Sequence, residues 1–258
     1  MSAQAADASR ETGAAWLSEV FASFQGEGSR AGQRHLFVRF AGCNIRCRWC
    51  DTPDSLVRVE SCRVDYPGGE REVLQNPVPA ERLAAICERF VAEDPSLAMI
   101  ALTGGEPMVQ GAFLAGWLEA FPPPRPCMLE TNALLTTNLD AVLRGVALVS
   151  ADVKLPSNTG EAPRWERHRA FLEACRGTES YVKMPVDAAT DPDEVRRGAA
   201  LVADALPGAV LYLQPVSDPD SGQWQVDMQG LGVLAATAAA LVADTRVLPQ
   251  MHKLVGIR

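Results

Sequence analysis

Three cysteines fall within eight residues in "RFAGCNIRCRWCDTP" (39–53): Cys43, Cys47 and Cys50, spaced C-x3-C-x2-C. Thiolates are soft ligands and suit zinc, copper(I) and iron–sulfur clusters. A structural zinc site takes four ligands, and the nearest candidates for a fourth, His35 and Cys62, are not at typical zinc spacing. Three thiolates on a four-iron cluster leave one iron open to bind and reduce a substrate or cofactor. Cluster and zinc both remain readings of the triad itself, but only the cluster makes use of a missing ligand. Cys62, Cys87, Cys127 and Cys175 share no ligand spacing and read as small buried hydrophobes.

Polar groups near the triad have chemistry of their own. Gln25 and Glu27, in "SFQGEG", offer an amide and a carboxylate; a Glu is a natural partner for a guanidine-like N–H pair. Arg39 can hold a carboxylate by two parallel bonds. Thr52 carries a hard oxygen that suits magnesium. In "TGGEP" (103–107) the glycines allow close backbone approach. Taken singly, each has an ordinary alternative. Glu27 would be a solvated loop charge, Arg39 a surface ion pair, Thr52 a turn residue before Pro53, and the glycines a plain turn.

The elements that must position these groups alternate along the chain. Strand-like runs are "HLFVRF" (35–40), "LAMIALTGGEP" (97–107), "CMLETN" (127–132), "VALVSADVK" (146–154), "SYVKMPV" (180–186) and "AVLYLQPV" (209–216). Helical spacing appears in "PAERLAAICERFVAED" (79–94), with Pro at its first position, in "GAFLAGWLEAF" and in a piece near 139–144. It continues in "RWERHRAFLEAC", "PDEVRRGAALVADAL" and "LGVLAATAAALVADT", and "RVLPQMHKLVGIR" adds a last extended segment. Apolar strands alternating with helices predict an α/β fold with a parallel sheet. About six β/α units are too few for a full barrel and fit a partial, open one. The polar residues gather where strands end, so the site is expected at the carboxyl-end mouth. Residues 1 to about 14 read as a loose tail and 15–258 as a single domain, with an insertion at about 57–79.

Bulk properties narrow the classes. The chain has 258 residues, 47% of them apolar, and a net charge of −8. That balance gives no support to nucleic-acid binding, which needs clustered positive charge. No apolar run approaches the roughly 18 residues of a membrane span. The start, "MSAQAADASRETGAAW", lacks the basic and apolar regions of a secretory signal, so the cytoplasm is the expected compartment. An odd seven cysteines in a reducing compartment argue against a disulfide framework.

The triad followed about 50 residues on by "GGEP" resembles the radical S-adenosylmethionine superfamily. "FASFQGEGSRAGQRHLFVRFAGCN", "CDT" after the last cysteine, and the closing "QMHK" resemble the 7-carboxy-7-deazaguanine synthases from about Trp16 to Arg258. The resemblance implies a carbon–nitrogen lyase. It would convert 6-carboxy-5,6,7,8-tetrahydropterin to 7-carboxy-7-deazaguanine with loss of ammonia, on the route to queuosine and other deazapurines. It implies a 4Fe-4S cluster on Cys43, Cys47 and Cys50, S-adenosyl-L-methionine, and Mg2+ at Thr52.

Substrate contacts are then implied for Phe24, Gln25, Gly26, Glu27, Arg39, Thr103, His252 and Arg258, the last through its terminal carboxylate. Cofactor contacts are implied for Trp49, Cys50, Asp51, Gly105, Glu106, Asn132, Ser150, Lys154, Gln214 and Pro215, with Trp49 shielding the cluster from water. A flavodoxin or ferredoxin as electron donor and a homodimer follow from the same resemblance. Many relatives carry "ETNG" where this chain has Ala133, which predicts a local backbone adjustment. The rival readings are another radical enzyme, such as a glycyl-radical activase, and a non-enzymatic zinc module.

Overall fold

The computed structural model describes residues 13–218 and 221–256. Its strands are β1 (Ala14–Ala15), β2 (Leu17–Phe24), β3 (Arg34–Phe40), β4 (Ser61–Asp65), β5 (Arg71–Gln75), β6 (Val78–Pro79), β7 (Met99–Gly104), β8 (Cys127–Thr131), β9 (Leu148–Asp152), β10 (Glu179–Val186), β11 (Val210–Pro215) and β12 (Thr245–Val247). Its helices are α1 (Ala80–Glu93), α2 (Gly111–Ala120), α3 (Leu139–Leu143), α4 (Pro156–Thr159), α5 (Trp165–Ala174), α6 (Pro192–Ala205), α7 (Met228–Ala239) and α8 (Met251–Leu254).

A ten-stranded sheet runs in the order β12-β11-β10-β9-β8-β7-β3-β2-β4-β5. From β3 through β7 to β12 each strand lies parallel to the next. Helices fill every crossover along this series, as parallel connections require. The sheet is not closed: β12 and β5 are its two edges. This is the partial barrel expected from the alternation. The helical ends follow local chemistry. Asp191 caps α6 by accepting from the Asp193 N–H at 2.8 Å, and Asp227 caps α7 through the Gly230 N–H at 2.7 Å. Pro79, expected at the first helical position, is instead the cap of α1, which starts one residue later at Ala80.

Two apolar layers clothe the sheet. The helix side holds the larger core, with Phe40, Phe90, Phe113, Trp117 and Phe171 fully buried. Each such side chain contributes about 1.5–3 kcal/mol on leaving water. The concave side holds a smaller cluster of Phe21, Phe37, Met99, Ala101, Met128, Leu148, Tyr181 and Tyr212. Side chains two apart share a face. Along the same face, toward the carboxyl ends, the residues therefore turn polar: Arg39, Thr103, Glu130, Asp152, Lys183 and Gln214. The concave side is thus apolar at its base and charged at its mouth.

Two segments differ from the reading of the chain. Residues 17–24, of which the sequence reading used only 21–24 as the start of a motif, form β2, antiparallel to β3. The stretch 57–79 is not featureless: β4 and β5 form a hairpin that extends the sheet beyond β2. Asn76 stitches it in place, donating to the Leu17 carbonyl at 2.7 Å and the Val59 carbonyl at 2.9 Å. Residues 1–12 of the expected tail lie outside the described residues, while Ala14 pairs with Pro79. Among the described residues no helix is long and apolar enough to cross a membrane.

Candidate active site

β3 delivers the chain directly into the cysteine loop. The loop is closed on itself by Gly42 N–H to Ser55 carbonyl at 2.8 Å and Cys43 N–H to Leu56 carbonyl at 3.2 Å. The tip of β7 packs beside it, with Gly105 N–H on the Phe40 carbonyl and Glu106 N–H on the Gly42 carbonyl, both at 2.9 Å. A Cβ at position 105 would overlap the carbonyl oxygens of Gly42 and Ser55, which is why only glycine fits there. Cys43, Cys47 and Cys50 are partly exposed and line one cavity of about 400 Å³. Burial pushes the Cys43 and Cys47 thiols up, and the neighbouring thiols of the triad add to it. Cys62, Cys127 and Cys175 are buried, and burial pushes their thiols up to about 12; Cys87 is buried likewise. Those four behave as inert core residues.

Glu106 is a strut between two strand tips. One oxygen accepts from the Met108 N–H at 3.0 Å and the Thr131 hydroxyl at 2.8 Å; the other accepts from the Asn132 N–H at 2.7 Å. Burial pushes its carboxyl up to about 7. The expected cofactor contact thus lines the cavity with both oxygens already engaged. Asn132 donates to the Asn44 side chain at 2.7 Å. Ala133 takes no adjusted backbone: it keeps φ at 54°, the left-handed conformation that glycine favours.

A second group of lining residues centres on Glu27, whose carboxylate lies within 4.8 Å of that of Asp51, the residue after Cys50. One of its oxygens accepts from Gln214 at 2.7 Å and Gln250 at 3.0 Å; the other is paired with Lys183. Burial alone would raise this carboxyl, but Lys183 foremost, with His252 and Gln250, holds it well below the usual carboxylate range. Lys183 also lies 3.3 Å from Asp152, whose second oxygen pairs with Lys154 at 2.7 Å. The Lys154 ammonium stands 4.5 Å from the centre of the Trp49 ring, a cation–π contact beside Cys47. Gln25 donates to Glu130 at 2.7 Å and accepts the Glu27 N–H at 3.0 Å. Arg39 is paired with Glu19 at 2.8 Å.

The end of the chain joins this group. Met251 N–H donates to the Gly26 carbonyl at 3.0 Å, and a Cβ at 26 would overlap the His252 ring. Gln250 donates to Asp51 at 2.5 Å, and Lys253 pairs with the same carboxylate. Asp51 therefore anchors the C-terminal segment. Glu27, Asp51 and His252 bring one ligand atom each within 4.8 Å of one another. Lys183 and Lys253 already neutralise the two carboxylates, so the group is an ion-pair hub.

The cavity collects most of the residues singled out in the sequence. Phe24, Gln25, Gly26, Glu27, Arg39, Thr103 and His252 line it, as do Trp49, Asp51, Thr52, Gly105, Asn132, Lys154 and Gln214. Two do not reach it. Ser150 is buried one layer below Asp152, beside the Tyr181 hydroxyl, and Pro215 is buried and points away from the face that carries Gln214. Arg258 lies outside the described residues. Sequence reasoning passed over Lys183 and Glu19, and it pointed to the strand ends "ETN" and "SADVK" without giving Glu130 or Asp152 a role of its own. The signal was present in "SYVKMPV": a charge inside an otherwise apolar strand is rarely buried without a task.

The cavity suits a cluster and a polar cofactor. It presents soft thiols in a mutually close set without disulfides. The Trp49 Nε1–H and the Asn132 Oδ1 are buried on its wall with no hydrogen-bond partner among the described residues. Such orphans point to a bound polar group. Thr52 lines the same cavity and precedes a 3₁₀ turn without capping it by its side chain.

Residues 37–208 match the model of the radical SAM superfamily. A 7-carboxy-7-deazaguanine synthase of Geobacter sulfurreducens is 34% identical, over 93% of this chain and 96% of that protein. One from Methanopyrus kandleri is 35% identical, over 92% of each. The crystal structure of QueE from Escherichia coli shares the fold, with a TM-score of 0.55 at 18% identity, over 93% of this chain and 95% of that one.

Proposed function

Because the chain belongs to the radical SAM superfamily and, within it, to the 7-carboxy-7-deazaguanine synthases, we propose that it converts 6-carboxy-5,6,7,8-tetrahydropterin to 7-carboxy-7-deazaguanine with loss of ammonia. One observation carries this reading. A single cavity is lined both by three partly exposed thiols and by a carboxylate–amide pair, the largely buried Glu27 and the buried Gln25. Cofactor and substrate would therefore meet in one cavity, with no transfer between sites.

Cys43, Cys47 and Cys50 would hold a 4Fe-4S cluster, and the orphaned Asn132 and Trp49 atoms would meet S-adenosyl-L-methionine. When bound, that pair supplies one-electron hydrogen abstraction. Lys154, stacked on Trp49, covers the Cys47 side against water. Gly105 brings backbone close to the cysteine loop. Glu27 and Gln25 would face the pterin's N–H edge, and Arg39 with His252 its acidic end. Thr103, near the carboxyl end of β7, lines the same cavity. The Thr52 hydroxyl would hold Mg2+ in company with the substrate. We extend the family reading to a flavodoxin or ferredoxin as electron donor, a homodimer, and one catalytic domain over 15–258 working in the cytoplasm.

The test is direct. The anaerobically reconstituted protein is incubated with the carboxy-pterin, S-adenosylmethionine, Mg2+ and a reductant. Formation of 7-carboxy-7-deazaguanine and ammonia is expected; cofactor cleavage without either product would overturn the assignment.

A further inference from the structure

Lys183 sits in the middle of β10, with its side chain only 7% exposed. A buried ammonium is costly unless paired and hydrogen-bonded. Its partners are Glu27, from the loop after β2, and Asp152, its direct neighbour in register on β9. Asp152 in turn takes Lys154 at 2.7 Å. Glu27, Lys183, Asp152 and Lys154 thus form a line of alternating charge that ends beside Trp49 and Cys47. Their charges cancel, so the line exerts no net pull on an ion.

A carboxylate has about four acceptor sites. Gln214 and Gln250 fill two on one Glu27 oxygen, and Lys183 holds the other oxygen. What remains is a single aimed acceptor position on a group whose charge is already balanced. Such an acceptor favours a neutral ligand edge that offers N–H.

We propose that Lys183 is a specificity-determining positioning residue: it fixes Glu27 so that the cavity selects a ligand with a 2-amino, guanidine-like edge over the same ring lacking that amino group. Lys183 acts through Glu27 and does not itself touch the ligand. The inference rests on the reading of Glu27 as the substrate-facing carboxylate.

The experiment measures two dissociation constants on one preparation of the reconstituted full chain. The probes are 7-carboxy-7-deazaguanine and its analogue without the 2-amino group. The parent protein is expected to prefer the amino form by about tenfold or more, the worth of a charge-assisted hydrogen bond. Lys183→Met is expected to bring the ratio close to one, and Lys183→Arg to restore most of it. Iron content is expected to stay unchanged in both. A Lys183→Met protein that keeps the parent ratio, whatever its absolute affinity, overturns the proposal. Should Lys183→Met not fold, Lys183→Gln is subjected to the same comparison and decides it. Glu27→Gln, run alongside, separates the two levels. A ratio unchanged in Glu27→Gln would sink the reading of Glu27 itself. A ratio lost there but kept in Lys183→Met would sink only the role of Lys183.

Discussion

Gln250 donates its side-chain amide to Asp51 at 2.5 Å, a contact between residues 199 apart in sequence. The same amide reaches Glu27 at 3.0 Å, and Lys253 adds an ion pair to Asp51. The C-terminal segment is therefore fastened to the cysteine loop and to the recognition carboxylate at once.

Cutting that fastening has a defined consequence. Asp51→Ala removes the acceptor for both Gln250 and Lys253 while leaving the three thiols in place. A charge-assisted hydrogen bond contributes about 1.5–3 kcal/mol. The KM for the pterin is expected to rise roughly tenfold, with iron content unchanged and faster proteolysis near Lys253. Steady-state kinetics with iron analysis checks this, and an unchanged KM would show that the anchor is idle.

Ala133 holds a conformation that suits glycine, at φ 54°. An L-residue there costs about 1–2 kcal/mol, and glycine gives part of that back through its freer unfolded chain. Ala133→Gly is expected to stabilise the fold by about 0.5–1 kcal/mol. The denaturation midpoint in anaerobic urea reads this; a drop would mean that the buried methyl matters more than the backbone.

Two buried histidines should lower stability on acidification, against Glu106, whose raised carboxyl takes up its proton in the folded state first as pH falls through about 7 and offsets part of the loss. Burial, with Arg30 behind it, holds His35 at about 4, and burial, with Lys154, holds His168 at about 4. Both folded values lie below the unfolded one of about 6.5. The unfolded chain therefore takes protons first as pH falls. Their contribution to stability is intact above pH 6.5 and is lost as pH drops toward 4. Between pH 7 and pH 5 the loss is roughly 2 kcal/mol per histidine. His168→Gln is expected to flatten the fall measured by urea unfolding; an unchanged slope would place the acid sensitivity elsewhere.

Most of the fold was legible because parallel strands covered on both faces read as apolar runs, as "MIALTG" of β7 does. β2 and the β4–β5 hairpin were harder. Their buried positions alternate with charged ones such as Glu19 and Arg63, and no α-helix lies between β2 and β3 or between β4 and β5 to mark them. Side-chain partners were not legible at all. Nothing in "SADVK" says that Asp152 will meet Lys183, because that pairing follows from the register between β9 and β10. Gly26 is similar: its role is set by His252, which approaches from the far end of the chain.

Thr52 lines the cavity without capping the turn that follows it. If its hydroxyl holds Mg2+, chelation should slow turnover by the parent protein. Thr52→Ser should respond to added Mg2+ as the parent does, and Thr52→Ala should not. Turnover titrated against Mg2+ measures this. Equal Mg2+ response in Thr52→Ala would assign the metal to other ligands.

The measurement that bears most directly on the three-cysteine site is iron and sulfide analysis coupled to electron paramagnetic resonance of the reduced, anaerobically reconstituted protein. Four irons per chain are expected on Cys43, Cys47 and Cys50 alone, with a spectrum that changes when S-adenosyl-L-methionine is added and no cluster in any single Cys→Ala variant of the three. Zinc in place of iron, or a cluster whose spectrum ignores the cofactor, would contradict an open iron facing the cavity.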